Sequence, residues 1–362
     1  MLIGIVLTVM LVGLPLLGIW LKNMPVSQFM EFPPLTQHVE HASFSWTAFV
    51  GLTIFALITL GPLVKANFSN KPKDVTENTR CHFPWWGWLG ILLGGIVWIL
   101  AWTRFEWFAF FQLHTFTPLW IAYIVVVNAL TLRRSGKCML IDRPKHFGLL
   151  FVTSATFWWF FEYLNRFVQN WYYTELESIS RLEYFVLATF SFSTVLPAVL
   201  GTYDLLKTFS RPSTGLDNFI HVKIARPKLV AWIVLGIAGF GLAGLGVWPD
   251  TLFGLLWVSP LLIIISVQTL LGRKHRLRSL AHGDWRNVWL VALAALICGF
   301  FWEMWNWHSF SQWIYTVPYV SRFKIFEMPL LGFLGYLPFG LECLVVADWI
   351  TGDREKTEKL KG

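Results

Sequence analysis

Glu162 and Glu303 each stand in an aromatic run, Phe160-Phe161-Glu162-Tyr163-Leu164-Asn165 and Phe301-Trp302-Glu303-Met304-Trp305-Asn306, and each is followed three residues later by an asparagine. On a helix that spacing puts both side chains on one face. A carboxylate well inside an apolar span costs roughly 2.5 to 3.5 kcal/mol on insertion scales, so it normally faces the bundle interior and serves a purpose. Two Glu and Asn pairs meeting there would form a polar cluster able to hold a proton, a cation or a substrate headgroup. The structural alternative is that each Asn caps its helix end and satisfies the neighbouring acid.

Glu342 lies deeper, after Pro338, with no basic residue close in sequence, and suits a proton donor. The alternative is a neutral acid hydrogen-bonded to an adjacent helix. Glu327 opens the same span beside Pro329. The acids expected to carry chemistry are therefore Glu303, Glu342 and Glu327. Glu162, Asn165, Asn306, Trp302, Trp305, His308 and Arg322 are the residues expected to bind substrate. Arg181 and Arg322 either pair with the glutamates, hold an anionic headgroup or snorkel to the interface. Asp204 and Asp348 read as solvated. Although His308 follows Glu303 closely, no HExxH-like or Cys/His ligand spacing appears, and neither a metal nor a cofactor is expected. The Trp residues serve mainly as interfacial belts and packing, but those around Glu162 and Glu303 also suit a site for a cation or a long apolar ligand.

These residues need helices to position them. The chain has 362 residues, 56% hydrophobic and 14% charged, with mean hydropathy +0.56. That composition predicts an all-α, polytopic helical membrane protein. Apolar runs of spanning length predict ten helices: Leu2 to Leu21, Trp46 to Val64, Trp85 to Trp102, Phe110 to Leu132, Phe147 to Asn165, Tyr184 to Leu206, Leu229 to Val247, Leu252 to Leu271, Val288 to Trp305 and Phe326 to Ile350. The first lacks a basic leader and a small-residue cleavage site, and reads as an uncleaved span. A bend is expected near Pro338, where a backbone hydrogen bond is missing.

The net charge of +8 sits in short loops rather than on a nucleic-acid-binding surface. Alternate loops collect most of the Lys and Arg: Lys65, Lys71, Lys73 and Arg80; Arg133, Arg134, Lys137, Arg143 and Lys145; Lys207, Arg211, Lys223, Arg226 and Lys228; Arg273, Lys274, Arg276, Arg278 and Arg286; and the tail after Ile350. The positive-inside rule then places both termini in the cytoplasm, with the cytoplasmic (inner) membrane as the expected location. Cys81, Cys138, Cys298 and Cys343 show no paired spacing, and no disulfide is expected.

The chain also resembles itself. A shift of 141 residues superposes Phe160 on Phe301, Glu162 on Glu303, Asn165 on Asn306, Arg181 on Arg322 and Leu196-Pro197 on Leu337-Pro338. This predicts tandem four-helix repeats in parallel orientation, since an even number of spans preserves direction. The expected organisation is 1-84 (two helices plus loops), 85-207 (first repeat), 208-228 (cytoplasmic linker), 229-350 (second repeat) and 351-362 (charged tail).

From Trp302-Glu303, through Trp313-Ile314-Tyr315-Thr316-Val317-Pro318, to Glu327-Met328-Pro329 and Glu342, the chain is similar to integral-membrane lycopene cyclases and related carotenoid-biosynthesis proteins. Those proteins are also built from helical units that can occur twice. Their Pro-x-Glu-Glu is absent here, Pro329 leading into Leu330-Leu331. The resemblance implies acid-initiated chemistry on a polyene, with a buried Glu protonating a double bond and aromatic rings stabilising the carbocation. Three readings follow. One is a protein that binds or modifies an isoprenoid, carotenoid-like or other lipid by acid/base chemistry. The second is a transporter with a midplane carboxylate site, and the third a structural membrane subunit. The expected partner is a membrane lipid or long apolar molecule, not nucleic acid, with a protein partner or homo-oligomer left open.

Overall fold

The computed structural model describes residues 2–34, 36–71, 81–177 and 179–351. Lys73, Arg80 and the charged tail from residue 352 onward, used in the charge reading, lie outside the described residues. The helices are α1 (Leu2–Leu21), α2 (Trp46–Ser69), α3 (Trp85–Trp102), α4 (Phe116–Ser135), α5 (Met139–Asp142), α6 (Pro144–Val168), α7 (Arg181–Phe192), α8 (Val195–Lys207), α9 (Pro227–Gly244), α10 (Pro249–Leu252), α11 (Ser259–Leu270), α12 (Arg286–Asn306) and α13 (Tyr336–Thr351). Short strands β1 (Trp171–Tyr173) and β2 (Trp313–Tyr315) pair antiparallel, as do β3 (Lys324–Ile325) and β4 (Met328–Pro329). Among the described residues, nine stretches are long and apolar enough to cross a membrane. A tenth arises if the pair Pro249–Trp257 and Ser259–Leu270, bent by 54°, counts as one span. The chain is a helical membrane protein.

Local chemistry sets the helix ends. Ser45 and Ser180 cap α2 and α7 by accepting from Ala48 N and Glu183 N. Pro144 and Pro227 open α6 and α9, where a missing N–H costs nothing. Gly136 ends α4 at φ 71°, in the left-handed region that glycine enters freely.

Three span boundaries differ from expectation. Residues Glu106–His114 form a 3₁₀ helix, so the fourth span starts at Phe116 rather than Phe110. The span expected over Tyr184 to Leu206 runs over Arg181–Lys207, with its helix broken between Phe192 and Val195. The last span does not run straight from Phe326: that region forms the β3–β4 turn and a 3₁₀ helix (Leu330–Gly335), and α13 starts at Tyr336. Pro197 and Pro338 explain the last two. A proline ring crowds the carbonyl four residues before it and lacks a backbone donor, so the first turn of an α-helix is where it fits without cost. Both prolines accordingly stand in the first turn of α8 and α13, and the bend expected at Pro338 is instead a helix start.

The core lies where the two halves of the sequence interlock. Helix α8 packs on α4, α6 and α12, while α13 packs on α12, α11 and α8. Gly340 lets α13 approach α12 until a side-chain carbon there would collide with the Val291 carbonyl. By contrast, in α2 only Leu63 and Asn67 are buried, whereas ten consecutive residues from Thr194 to Tyr203 are buried. Helix α2 touches the 3₁₀ segments Leu330–Gly335 and Arg211–Ser213 and little else.

Candidate functional site

Glu162 and Glu303 sit near the ends of α6 and α12 and are both fully buried. Each meets aromatic donors from the short strand that follows its helix. Glu162 Oε1 accepts from the Tyr173 hydroxyl at 2.6 Å, Trp158 Nε1 at 3.0 Å and Trp171 Nε1 at 3.2 Å. Glu303 Oε1 accepts from the Tyr336 hydroxyl at 2.7 Å and the Tyr315 hydroxyl at 2.8 Å, and Trp313 Nε1 donates to the Tyr315 oxygen at 3.0 Å. In both carboxylates the second oxygen, Oε2, is buried without a hydrogen-bond partner.

The strands are held by the asparagines. Asn165 Nδ2 donates to the Trp171 carbonyl at 2.8 Å, and its Oδ1 accepts from Asn170 N at 2.8 Å. Asn306 donates to the Trp313 carbonyl at 2.8 Å and accepts from Trp313 N at 2.9 Å. Both amides are thus spent on backbone, and neither contacts its neighbouring glutamate. This is the capping role, displaced from the helix end to the strand beyond it. The two strands then pair with each other, Trp171 opposite Tyr315, Tyr172 opposite Ile314 and Tyr173 opposite Trp313.

Beneath the strand pair lies a cavity of about 510 Å³. Its walls include Trp158, Trp171, Tyr173, Tyr184, Trp257, Trp302, Trp313, Tyr315 and Tyr336, with Leu52, Phe55, Ala56, Thr59 and Leu60 of α2 along one side. Neither Glu162 nor Glu303 is part of the lining; their tyrosine partners are. Gly299 supports this arrangement, since a side chain there would collide with the Tyr336 ring that rests on α12 and reaches Glu303. Burial, then the adjacent carboxylate, raises Tyr173 and Tyr315 far above the usual tyrosine range, so both remain O–H donors.

The other expected site residues are dispersed. Trp302 lines the cavity, whereas Trp305 packs on Trp98, Trp120 and Phe301 behind it. Glu342 is buried away from the lining, where Oε1 accepts from Leu261 N at 2.9 Å in the first turn of α11. That is a cap supplied from another helix, with the carboxylate at the positive end of the helix dipole. Glu327 pairs with Lys324 at 3.2 Å on the β3–β4 turn. His308 is exposed, tilted against Trp307 and edge-on to Trp102. Arg322 lies over Phe44, 4.6 Å from the ring centre, and Arg181 pairs with Glu31 at 2.6 Å, so neither arginine reaches the glutamates. Asp204 and Asp348 form ion pairs with Arg143 and Lys207 and with Arg276, respectively. Among the described residues, no group of three or more His, Cys, Asp or Glu is placed to hold a metal.

Tyr173, Tyr315 and Tyr336, which join the cavity to the glutamates, are the candidate-site residues that sequence reasoning missed. The signal was present as Trp171-Tyr172-Tyr173 and Trp313-Ile314-Tyr315, but these correspond at a shift of 142 rather than 141. No protein-family model, curated protein or solved structure matches the chain.

Proposed function

We propose that this protein binds a hydrophobic, isoprenoid-like or other lipid in the aromatic cavity and exchanges a proton with it through the tyrosine–glutamate pairs. The observation that carries this reading is the half-buried Tyr315, which lines the cavity and donates its hydroxyl to Glu303. A hydroxyl so placed relays a proton between a ligand and a carboxylate without exposing the carboxylate to it. Tyr173 and Glu162 repeat the arrangement. Such chemistry on a polyene is what the similarity to lycopene cyclases implies, with Glu303 as the proton reservoir and Tyr315 or Tyr336 as the group in contact.

Two features favour a lipid ligand. The walls are dominated by indole, phenyl and aliphatic groups, which suit an apolar chain. The sparsely packed α2 forms one side, and a molecule dissolved in the bilayer would enter past it. Transport requires a passage through the other half of the bundle, where Ala198, Val199, Ala295, Cys298 and Phe339 are packed with at most 1% exposure. That packing favours binding or catalysis.

In this reading the halves are parallel repeats about an axis along the membrane normal. The strand register supports it: exchanging the halves turns the pair Trp171 and Tyr315 into Trp313 and Tyr173, which is also a pair. The distribution of basic residues among the loops supports both termini in the cytoplasm and the cavity toward the opposite face. Mass spectrometry of co-purifying lipids tests the function. A single long-chain or isoprenoid species should accompany the parent and be lost from Ala56→Trp, which adds an indole to the cavity wall. Bulk phospholipid alone in both samples counts against a lipid ligand.

A further inference from the structure

The donors that reach the two buried glutamates are already committed. Trp158, Trp171 and Tyr173 donate to Glu162, Tyr315 and Tyr336 donate to Glu303, and Trp313 donates to Tyr315. What these groups offer a ligand is tyrosine lone pairs and the negative faces of aromatic rings. Among the described residues no Lys, Arg or His lines the cavity, and neither Glu162 nor Glu303 has a basic partner. Each carboxylate keeps one fully buried oxygen without a partner. An uncompensated buried carboxylate is costly, and an entering cation relieves that cost. An anionic headgroup finds no cationic side chain on these walls and has two acids behind them.

The geometry points to a ligand that carries a positive charge on an apolar chain: a quaternary ammonium or protonated amine seated among Trp158, Trp171, Trp302 and Tyr315, with its chain along α2. Aromatic faces attract such a group most strongly when it is desolvated. This rests on the cavity being the lipid site proposed above, and names the headgroup that the site selects.

The test compares tritiated dodecyltrimethylammonium, a chain of equal length ending in a neutral tert-butyl group, and dodecyl phosphate. Binding to the full-length protein in uncharged maltoside micelles is read by scintillation proximity, with empty micelles subtracted. The trimethylammonium probe should bind at least about tenfold more tightly than its neutral counterpart, equivalent to 1.4 kcal/mol. The phosphate should bind weakest, and Glu162→Gln with Glu303→Gln should bring the cation-to-neutral ratio toward one. Equal affinity for the cationic and neutral probes in the parent protein overturns the charge selection while leaving a lipid site. If no probe binds and Ala56→Trp changes nothing, both readings fall. The comparison of cationic with neutral probe uses the parent protein alone and decides the charge selection whether or not the variants fold.

Discussion

Asn165 and Asn306 do the same work at two places in the fold. Each uses its amide nitrogen and oxygen to hold the first Trp of a three-residue strand, both through a 2.8 Å bond to a Trp carbonyl. The strands they hold carry Tyr173 and Tyr315 to the two buried glutamates. The asparagines therefore act on the site through position, without touching the cavity. Replacing Asn306 with Ala should cost about 2 to 3 kcal/mol, since two buried hydrogen bonds are lost and backbone groups are left unpaired. Thermal unfolding in nanodiscs measures this. A midpoint equal to the parent's would remove the asparagine from the argument.

Glu342 and Glu303 should separate by phenotype. Glu342→Ala removes the cap on α11 and should destabilise by about 1 to 2 kcal/mol, with ligand retention in the folded fraction unchanged. Glu303→Gln should retain the fold and lose proton exchange. Lipid retention and thermal midpoint, measured together on both variants, check the division; loss of ligand from folded Glu342→Ala would place Glu342 in the site after all.

Gly299 controls Tyr336. A valine there should push the ring off α12, separating its hydroxyl from Glu303, and reduce ligand affinity at least about tenfold, or 1.4 kcal/mol. Gly299→Ala should fall between valine and the parent. An ordering that fails to follow side-chain size would mean that Tyr336 is held by something other than this contact.

Tyr173 and Tyr315 should stay neutral where ordinary tyrosines ionise, near pH 10. The absorbance change at alkaline pH should then be the same in the parent and in Tyr173→Phe or Tyr315→Phe. In the unfolded chain these hydroxyls lose protons that the folded chain keeps, so stability should fall as pH rises above about 10. A smaller absorbance step in either variant would show that the missing tyrosine had been titrating.

Cys81 is exposed, while Cys138, Cys298 and Cys343 are buried. A membrane-impermeant maleimide should label one cysteine per chain. Inverted vesicles should react and intact cells should not, if Cys81 lies in the cytoplasm. Labelling from the outside would reverse the topology inferred from the basic loops.

Much of the scaffold was legible because it is written in composition and spacing. Apolar runs located the spans, and the constant offset between Glu162-x-x-Asn165 and Glu303-x-x-Asn306 found the carboxylates that receive the aromatic hydroxyls. The contacts themselves were harder to read. Asn165 reaches six residues along the chain and Asn306 seven, and this extra residue breaks the offset where the tyrosines begin. Glu342 looked like a lone acid because its partner, Leu261 N, is 81 residues away. No periodicity in α2 announces that it lines a cavity, because a helix that faces apolar surroundings on every side has no polar stripe to orient it.

The indole rings around the cavity have an optical consequence. Trp158, Trp171, Trp257, Trp302 and Trp313 all border one cavity, so a polyene lodged there would overlap their near-ultraviolet emission at contact distance and quench it. A colourless ligand would leave the emission bright but shift its wavelength. The chain thus carries its own reporter, and a panel of unlabelled lipids can be screened by following the colour and intensity of the light it returns.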